Sequence, residues 1–269
     1  ALVRPMGSGG SGGGGAFNYA RIIGERYLKT SGTNAEANAS EAGFDFMNGH
    51  IDQNWGGTNT HSYMWKRSTG WFDVTTHKGT GSAKTVPHNL QKVPEMMWIK
   101  RRDATDNWCV FHKDVGATKH LVLNGDFDAN TSSTRWNDTA PTASVFTVGT
   151  DAEVNGSGGH YVGYHFATVN GVSKVGSYTG DGSAGKVIDC GFSNGARFVL
   201  IKELASNHNW YVWDTLRGIV SGNDPYFFLN TNDAENDQND SIDPHSSGFA
   251  VNYALTNANG QTYIFYAIA

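Results

Sequence analysis

The chain repeats itself, and an internal repeat constrains a fold more tightly than any composition does. His77-Lys78-Gly79-Thr80-Gly81 is matched 101 positions later by Tyr178-Thr179-Gly180-Asp181-Gly182. Met96-Met97-Trp98-Ile99-Lys100 is matched 102 positions later by Phe198-Val199-Leu200-Ile201-Lys202, and Asn107-Trp108-Cys109-Val110-Phe111 by Asn209-Trp210-Tyr211-Val212-Trp213. Leu121-Val122-Leu123-Asn124 pairs with Phe227-Phe228-Leu229-Asn230, Phe146-Thr147-Val148 with Phe249-Ala250-Val251, and Tyr161-Val162-Gly163-Tyr164 with Tyr263-Ile264-Phe265-Tyr266. The blocks keep one order, so two full copies run over 67–167 and 168–269. Upstream, Arg26-Tyr27-Leu28, Thr33–Glu36, Gly43–Phe46 and His61–Trp65 track only the later blocks of a copy. Residues 17–66 are therefore read as a half-repeat, the second half of a unit. Because an incomplete sandwich leaves edges and an apolar face uncovered, the half-repeat is expected to pack on the following repeat or on another chain, with help from the residues before it.

Each copy reads as all-β. Strands are expected at 71–76, 96–101, 108–112, 120–123, 145–148 and 160–167, and in the second copy at 172–178, 197–202, 210–214, 226–229, 249–252 and 262–268. Continuous apolar runs such as Phe198-Val199-Leu200-Ile201 fit central strands covered on both faces. Gly, Asn, Asp and Ser clusters punctuate the runs, and about six short strands per hundred residues is the grammar of a β-sandwich or jelly-roll. The 34 glycines and the 12% aromatic content suit such strands and turns and exclude disorder. Residues 1–16, with their Gly/Ser tract, form a flexible arm. An added linker, a natural hinge and a segment that orders against a partner all fit it. The chain begins with Ala1 rather than Met, as a processed chain or a piece of a longer one does.

Several functions lose ground at once. A net charge of −5 gives no electrostatic case for nucleic acid, and no apolar run is long enough to insert in a membrane. Gly79-Thr80-Gly81 and Gly180-Asp181-Gly182 lack the strand–helix context and the Lys-Ser/Thr of phosphate loops; hairpin turns with φ > 0 explain them. No histidine recurs in the other full copy: His77 faces Tyr178, His88 faces Asp189, His112 faces Asp214 and His165 faces Ala267. A histidine site common to both repeats is excluded, and one private to a single copy is left open. Asp233–Asp243 lacks the ligand spacing and mid-loop glycine of a calcium loop and reads as a solvated turn. Cys109 and Cys190 fall at non-equivalent points and are expected to be free and buried. Nothing nominates a catalytic set, a metal or a cofactor. Trp55 and Trp136 lie in polar surroundings and are the candidates for stacking on a sugar ring, against the alternative of loop tryptophans folded onto their own core.

Stretches of the chain resemble the repeated domain of tail- and fibre-like structural proteins of marine bacteriophages, cyanophages among them. The resemblance is carried by YMWKRSTGWFDV at 63–74, VPEMMWIKRRD at 93–103, GVSKVGSYTG at 171–180, YVWDTLRGIV at 211–220 and YIFYAIA at 263–269. It implies a non-enzymatic virion component of tail-fibre or spike type, extracellular when mature, in contact with the host surface or other virion proteins. The family class further implies a homotrimer, and the repeat closing a longer chain. A carbohydrate-binding module using Trp55 and Trp136 is the second reading, and a glycan depolymerase the third.

Overall fold

The computed structural model describes residues 2–5, 15–39, 42–44, 50–52, 60–205, 207–252 and 254–269. It is almost entirely antiparallel β. The first unit holds β1 (Leu2–Pro5), β2 (Phe17–Tyr19), β3 (Arg26–Lys29), β4 (Ala37–Asn38), β5 (Ala42–Phe44), β6 (His50–Asp52) and β7 (Thr60–Tyr63). The second holds β8 (Phe72–Lys78), β9 (Lys84–Pro87), β10 (Met96–Arg101), β11 (Trp108–His112), β12 (Lys119–Val122), β13 (Asn130–Thr131), β14 (Val145–Val148) and β15 (His160–Phe166). The third holds β16 (Ser173–Thr179), β17 (Lys186–Asp189), β18 (Phe198–Glu203), β19 (Tyr211–Asp214), β20 (Phe227–Phe228), β21 (Ile242–His245), β22 (Gly248–Val251) and β23 (Thr262–Ile268). Short helices α1 (Ser133–Trp136), α2 (Ala152–Asn155) and α3 (Ala254–Asn257) sit in the connections.

Each full repeat is a sandwich of a large and a small sheet. In the first, the order is β13-β12-β11-β10-β15-β8, with β14-β9 as the second layer; in the second, β16-β23-β18-β19-β20 is covered by β17-β22-β21. Alternation along the strands explains the layering. Met97, Ile99, Cys109, Phe111 and Tyr161 meet Val86, Phe146 and Val148 of the small sheet. Val199, Ile201, Tyr211, Trp213 and Phe265 meet Ile188, Phe249 and Val251 in the second repeat. The strands expected from the sequence are all present, within one or two residues. The small-sheet strands β9, β17 and β21 are additional; they are short, and their burial alternates with polar residues.

The opposite face of each large sheet is also apolar, and all three units contribute to one shared core. Met96, Trp98, Trp108, Val110, Val162 and Tyr164 meet Phe198, Leu200, Trp210, Val212, Ile264 and Tyr266, together with Ala16, Ala20, Ile23 and Leu28 of the first unit. This is why runs such as Phe198–Ile201 are apolar at every position.

The first unit's sheet runs β4-β3-β2-β1-β7, so residues 2–5, read from the sequence as part of a flexible arm, form a strand. Strand β1 pairs antiparallel with both β2 and β7, as β10 pairs with β11 and β15. The registers agree in detail. Leu2 is opposite Tyr63 as Trp98 is opposite Tyr164, and Arg4 is opposite His61 as Lys100 is opposite Val162. The unit thus has counterparts of β10, β11, β12, β13 and β15, and Gly15 and Ala16 are buried. Residues 6–14 lie outside the described residues.

The units are joined in a cycle. The Trp108 indole N–H donates to the Lys29 carbonyl at 2.9 Å, and the Trp210 indole N–H to the Val122 carbonyl at 3.0 Å. These are equivalent bonds, each from the start of a unit's β11 or β19 segment to the next-to-edge strand, β3 or β12, of the preceding unit. The third joint lacks a tryptophan, since Ala16 holds that register position. There the Thr30 hydroxyl donates to the Leu229 carbonyl at 2.7 Å, and the Ser31 hydroxyl to Asn232 at 2.7 Å. The half-repeat therefore packs on both full repeats of its own chain.

The paired glycines turn the chain between layers rather than within a hairpin, because β8 and β9 lie in different sheets. Gly81 and Gly182 do take positive φ, +74° and +73°. Asn155 and Asn257, at equivalent positions and buried, brace these turns by accepting from the Thr80 and Asp181 N–H groups, each at 3.0 Å.

Candidate functional site

Trp136 is not available to a sugar. It closes α1, is fully buried, donates its indole N–H to the Lys119 carbonyl at 3.0 Å, and packs edge-on against Phe111. The polar neighbours that suggested exposure are the exposed side of the same loop, while the ring fills the sandwich interior. Trp55 lies outside the described residues.

The histidine at 77 proves to be a core substitution. His77 stacks on Tyr161 with ring centroids 4.8 Å apart, as Tyr178 stacks on Tyr263 at 5.0 Å. His77 Nε2 bonds the Val154 carbonyl at 2.9 Å, and the Tyr178 hydroxyl bonds the Thr256 carbonyl at the equivalent place, at 2.6 Å. Burial lowers the imidazoles of His77 and His120 to about 4, and those of His112 and His165 to about 3. Neutral rings of this kind are packing groups. Among the described residues no cluster of His, Cys, Asp and Glu is arranged for a metal. In the acidic stretch, Asp240 and Asp243 both accept from the Asn252 amide, at 2.7 and 2.6 Å. Cys109 and Cys190 are free and buried, as expected.

Two buried charge features escaped the sequence reading. Lys100 and Lys202 are equivalent, fully buried, and lowered to about 8 by desolvation. Lys202 donates to the carbonyls of Glu203 and Asp126, at 2.8 and 3.2 Å, and so spans two units. Their recurrence in the aligned blocks was the available signal; an apolar run hides a lysine that ends it. The second feature is the joint between the first and third units. The Tyr63 hydroxyl donates to Asp214 at 2.6 Å, and Arg217, 2% exposed, pairs with Asp214 and Glu235. The Arg217 guanidinium lies 4.7 Å over the Phe227 ring. All its charges are answered internally, which marks it as a clasp.

One concavity has the size and lining of a small-molecule site. A cavity of about 710 Å³ lies between the turn after β2 and the shared-core face of the first full repeat. Tyr19, Trp65, Phe72, Trp98, Tyr164 and Phe166 form its aromatic walls. Ile22 and Met64 are exposed at its mouth. Asn18, Trp98 and Tyr164 line it and are buried; Asn18 Oδ1, Trp98 Nε1 and the Tyr164 hydroxyl, each closed off from the open space, have no hydrogen-bond partner among the described residues. Of the cations lining it, Arg67 is engaged by Asp73 at 2.7 Å.

Comparison with known proteins places the chain in a family. Residues 25–269 match the family model described as a domain of unknown function, DUF7483. The chain belongs to that family. No curated protein and no solved structure matches it. The family model begins within the first unit, so family membership extends to the half-repeat as well as to the two full copies.

Proposed function

We propose that this DUF7483 chain is a non-enzymatic structural and adhesive component of a virion, of tail-fibre or spike type, acting in contact with the host surface or with other virion proteins. The observation that carries this reading is where the duplicated residues go. Trp108 and Trp210 join the units, Asn124 and Asn230 accept from the backbone N–H of those tryptophans at 2.7 and 2.9 Å, and Tyr161 and Tyr263 fill the sandwich cores. Everything held in common serves the scaffold, while the equivalent connections, 113–120 against 215–226 and 125–145 against 231–248, differ in length and sequence. A rigid frame presenting unlike loops is the layout of a recognition protein. The likeness to phage tail proteins supplies the setting, and with it the homotrimer; the shared core itself is already closed by three sheets of one chain. The test is mass spectrometry of purified particles, with antibody labelling to find where on the particle the protein sits. Its presence in virions at structural copy number, with antibody on the tail, supports the reading. Absence from particles, or shortening of purified host polysaccharide by the protein, overturns it.

A further inference from the structure

We infer that the outer edge of β7 takes up a strand from another protein chain, an extended segment built like β8 and β16. Tyr63 of β7 holds the place of Tyr164 and Tyr266, being opposite Leu2 as they are opposite Trp98 and Leu200. In both full repeats the strand at this place has a neighbour on each side. β15 pairs with β10 and with β8, and β23 with β18 and with β16, each outer partner over seven residues. β7 pairs with β1, and among the described residues no strand lies on its other side. The edge that is covered twice within the molecule is thus open at the first unit.

The open edge has the means to pair. At the ends of β15 and β23 the N–H groups of Ala167 and Ala269 donate to the Trp71 and Val172 carbonyls on the outer side, at 3.0 and 2.9 Å. Backbone groups alternate in direction along a strand, so Gly163 and Phe265 face the outer strand too. Ser62, at the same register, turns its N–H and C=O outward, and it is exposed where Gly163 and Phe265 are buried. Native edges are blunted by lysine, proline or a bulge. β8 and β16, the open edges of the full repeats, carry Lys78 and Lys174, whereas Thr60-His61-Ser62-Tyr63 has neither lysine nor proline. The neighbouring turn indicates what the partner presents. At the joint with the first full repeat, Ile22 of the turn after β2 lines the same cavity as Phe72 and Val74 of β8. Leu216 is its equivalent in the turn after β19, as far past Val212 as Ile22 is past Asn18. That turn lies against β7, because Arg217 donates to the Tyr63 hydroxyl, yet Leu216 is 78% exposed. Val74 is opposite Tyr164 and Val175 opposite Tyr266, and both valines belong to the shared core. The incoming strand therefore places an apolar residue opposite Tyr63, while main-chain bonds along the edge supply affinity. This reading rests on register and not on the virion setting, so either can fail without the other.

The test is fluorescence anisotropy of the full chain with a fluorescein-labelled peptide of residues 171–180, GVSKVGSYTG, whose Val175 and Gly176 would fall opposite Tyr63 and Ser62. The expected result is saturable one-to-one binding. Gly176→Pro in the peptide and Ser62→Pro in the protein each remove one N–H of that pair and crowd the edge, and each should weaken binding roughly tenfold or more. Ser62→Pro should leave the melting temperature within about 2 °C, because the lost N–H faces away from β1. Leu216→Asp, on an exposed turn, should weaken the peptide several-fold, which keeps the answer readable even if Ser62→Pro folds poorly. No saturable binding, or binding that the two proline substitutions leave unchanged, overturns the proposal. So does self-association of the chain that Ser62→Pro abolishes, since a second copy would then own the edge.

Discussion

At the residue scale, the copies act as controls on one another. The sequence left a site private to one copy open at His77; beside Tyr178 it is a tyrosine replaced by a smaller ring that keeps the same stack and the same carbonyl bond. His77→Tyr restores the larger ring that the same frame accepts at Tyr178, and should cost at most about 1–3 kcal/mol at pH 7, the range for adding volume to a packed core; urea unfolding reads this directly. The acid response follows from the same burial. The unfolded chain protonates its histidines below 6.5, whereas His77 and His120 hold out to about 4, and His112 and His165 to about 3. The folded pKa values are depressed, so the stabilisation is complete above 6.5 and is lost progressively as pH falls toward those values. Asp224, raised to about 6 by burial, works the other way between its ordinary 3.8 and 6, one group against six, since burial lowers His61 and His88 as well. Urea midpoints should thus fall steadily from pH 7 to pH 4, and His77→Tyr should make the fall shallower. A midpoint flat over that range contradicts the buried, neutral assignment. Trp136 shows the limit of local reading: its neighbours Ser, Thr, Asn and Asp describe the loop's outer side and say nothing of the ring's direction.

At the element scale, most strands were legible because alternation and turn residues mark them, and because each was seen twice. The large-sheet strands sit where the blocks repeat. What was not legible depends on partners far away in sequence. Leu2–Pro5 is too short to declare itself, and only pairing with β2 and β7 makes it the counterpart of β10. β9 and β17 are half-polar edge strands with too little apolar content to stand out. The cavity was equally hidden, since its walls come from 18–22, 64–74, Trp98 and 164–166, which only the folded chain brings together. The inter-unit bonds lend themselves to a direct test. Trp108→Phe and Trp210→Phe each remove one indole N–H and leave the Lys29 or Val122 carbonyl without its donor. Each should cost about 1–3 kcal/mol, measured by urea unfolding. Phe at Trp136, whose N–H stays within its own unit, tests burial alone and should not alter how the units unfold relative to one another.

At the scale of the whole molecule, the repeats of the sequence are not beads. Two sandwiches retain their own interiors, but the face each turns inward is covered by the others and by the first unit. The sequence indicated that 17–66 could not stand alone; it did not show that all three units meet in one core, because contact between units leaves no periodic trace in any one of them. A shared core makes a thermodynamic demand that separate domains do not. Scanning calorimetry of the full chain tests it most directly. One core implies a single transition whose calorimetric and van't Hoff enthalpies agree, on the order of 190 kcal/mol near 60 °C for a chain of this length. Two resolved transitions of roughly 70 kcal/mol each, as independent hundred-residue domains would give, would contradict the shared core and the closed cycle of joints built upon it.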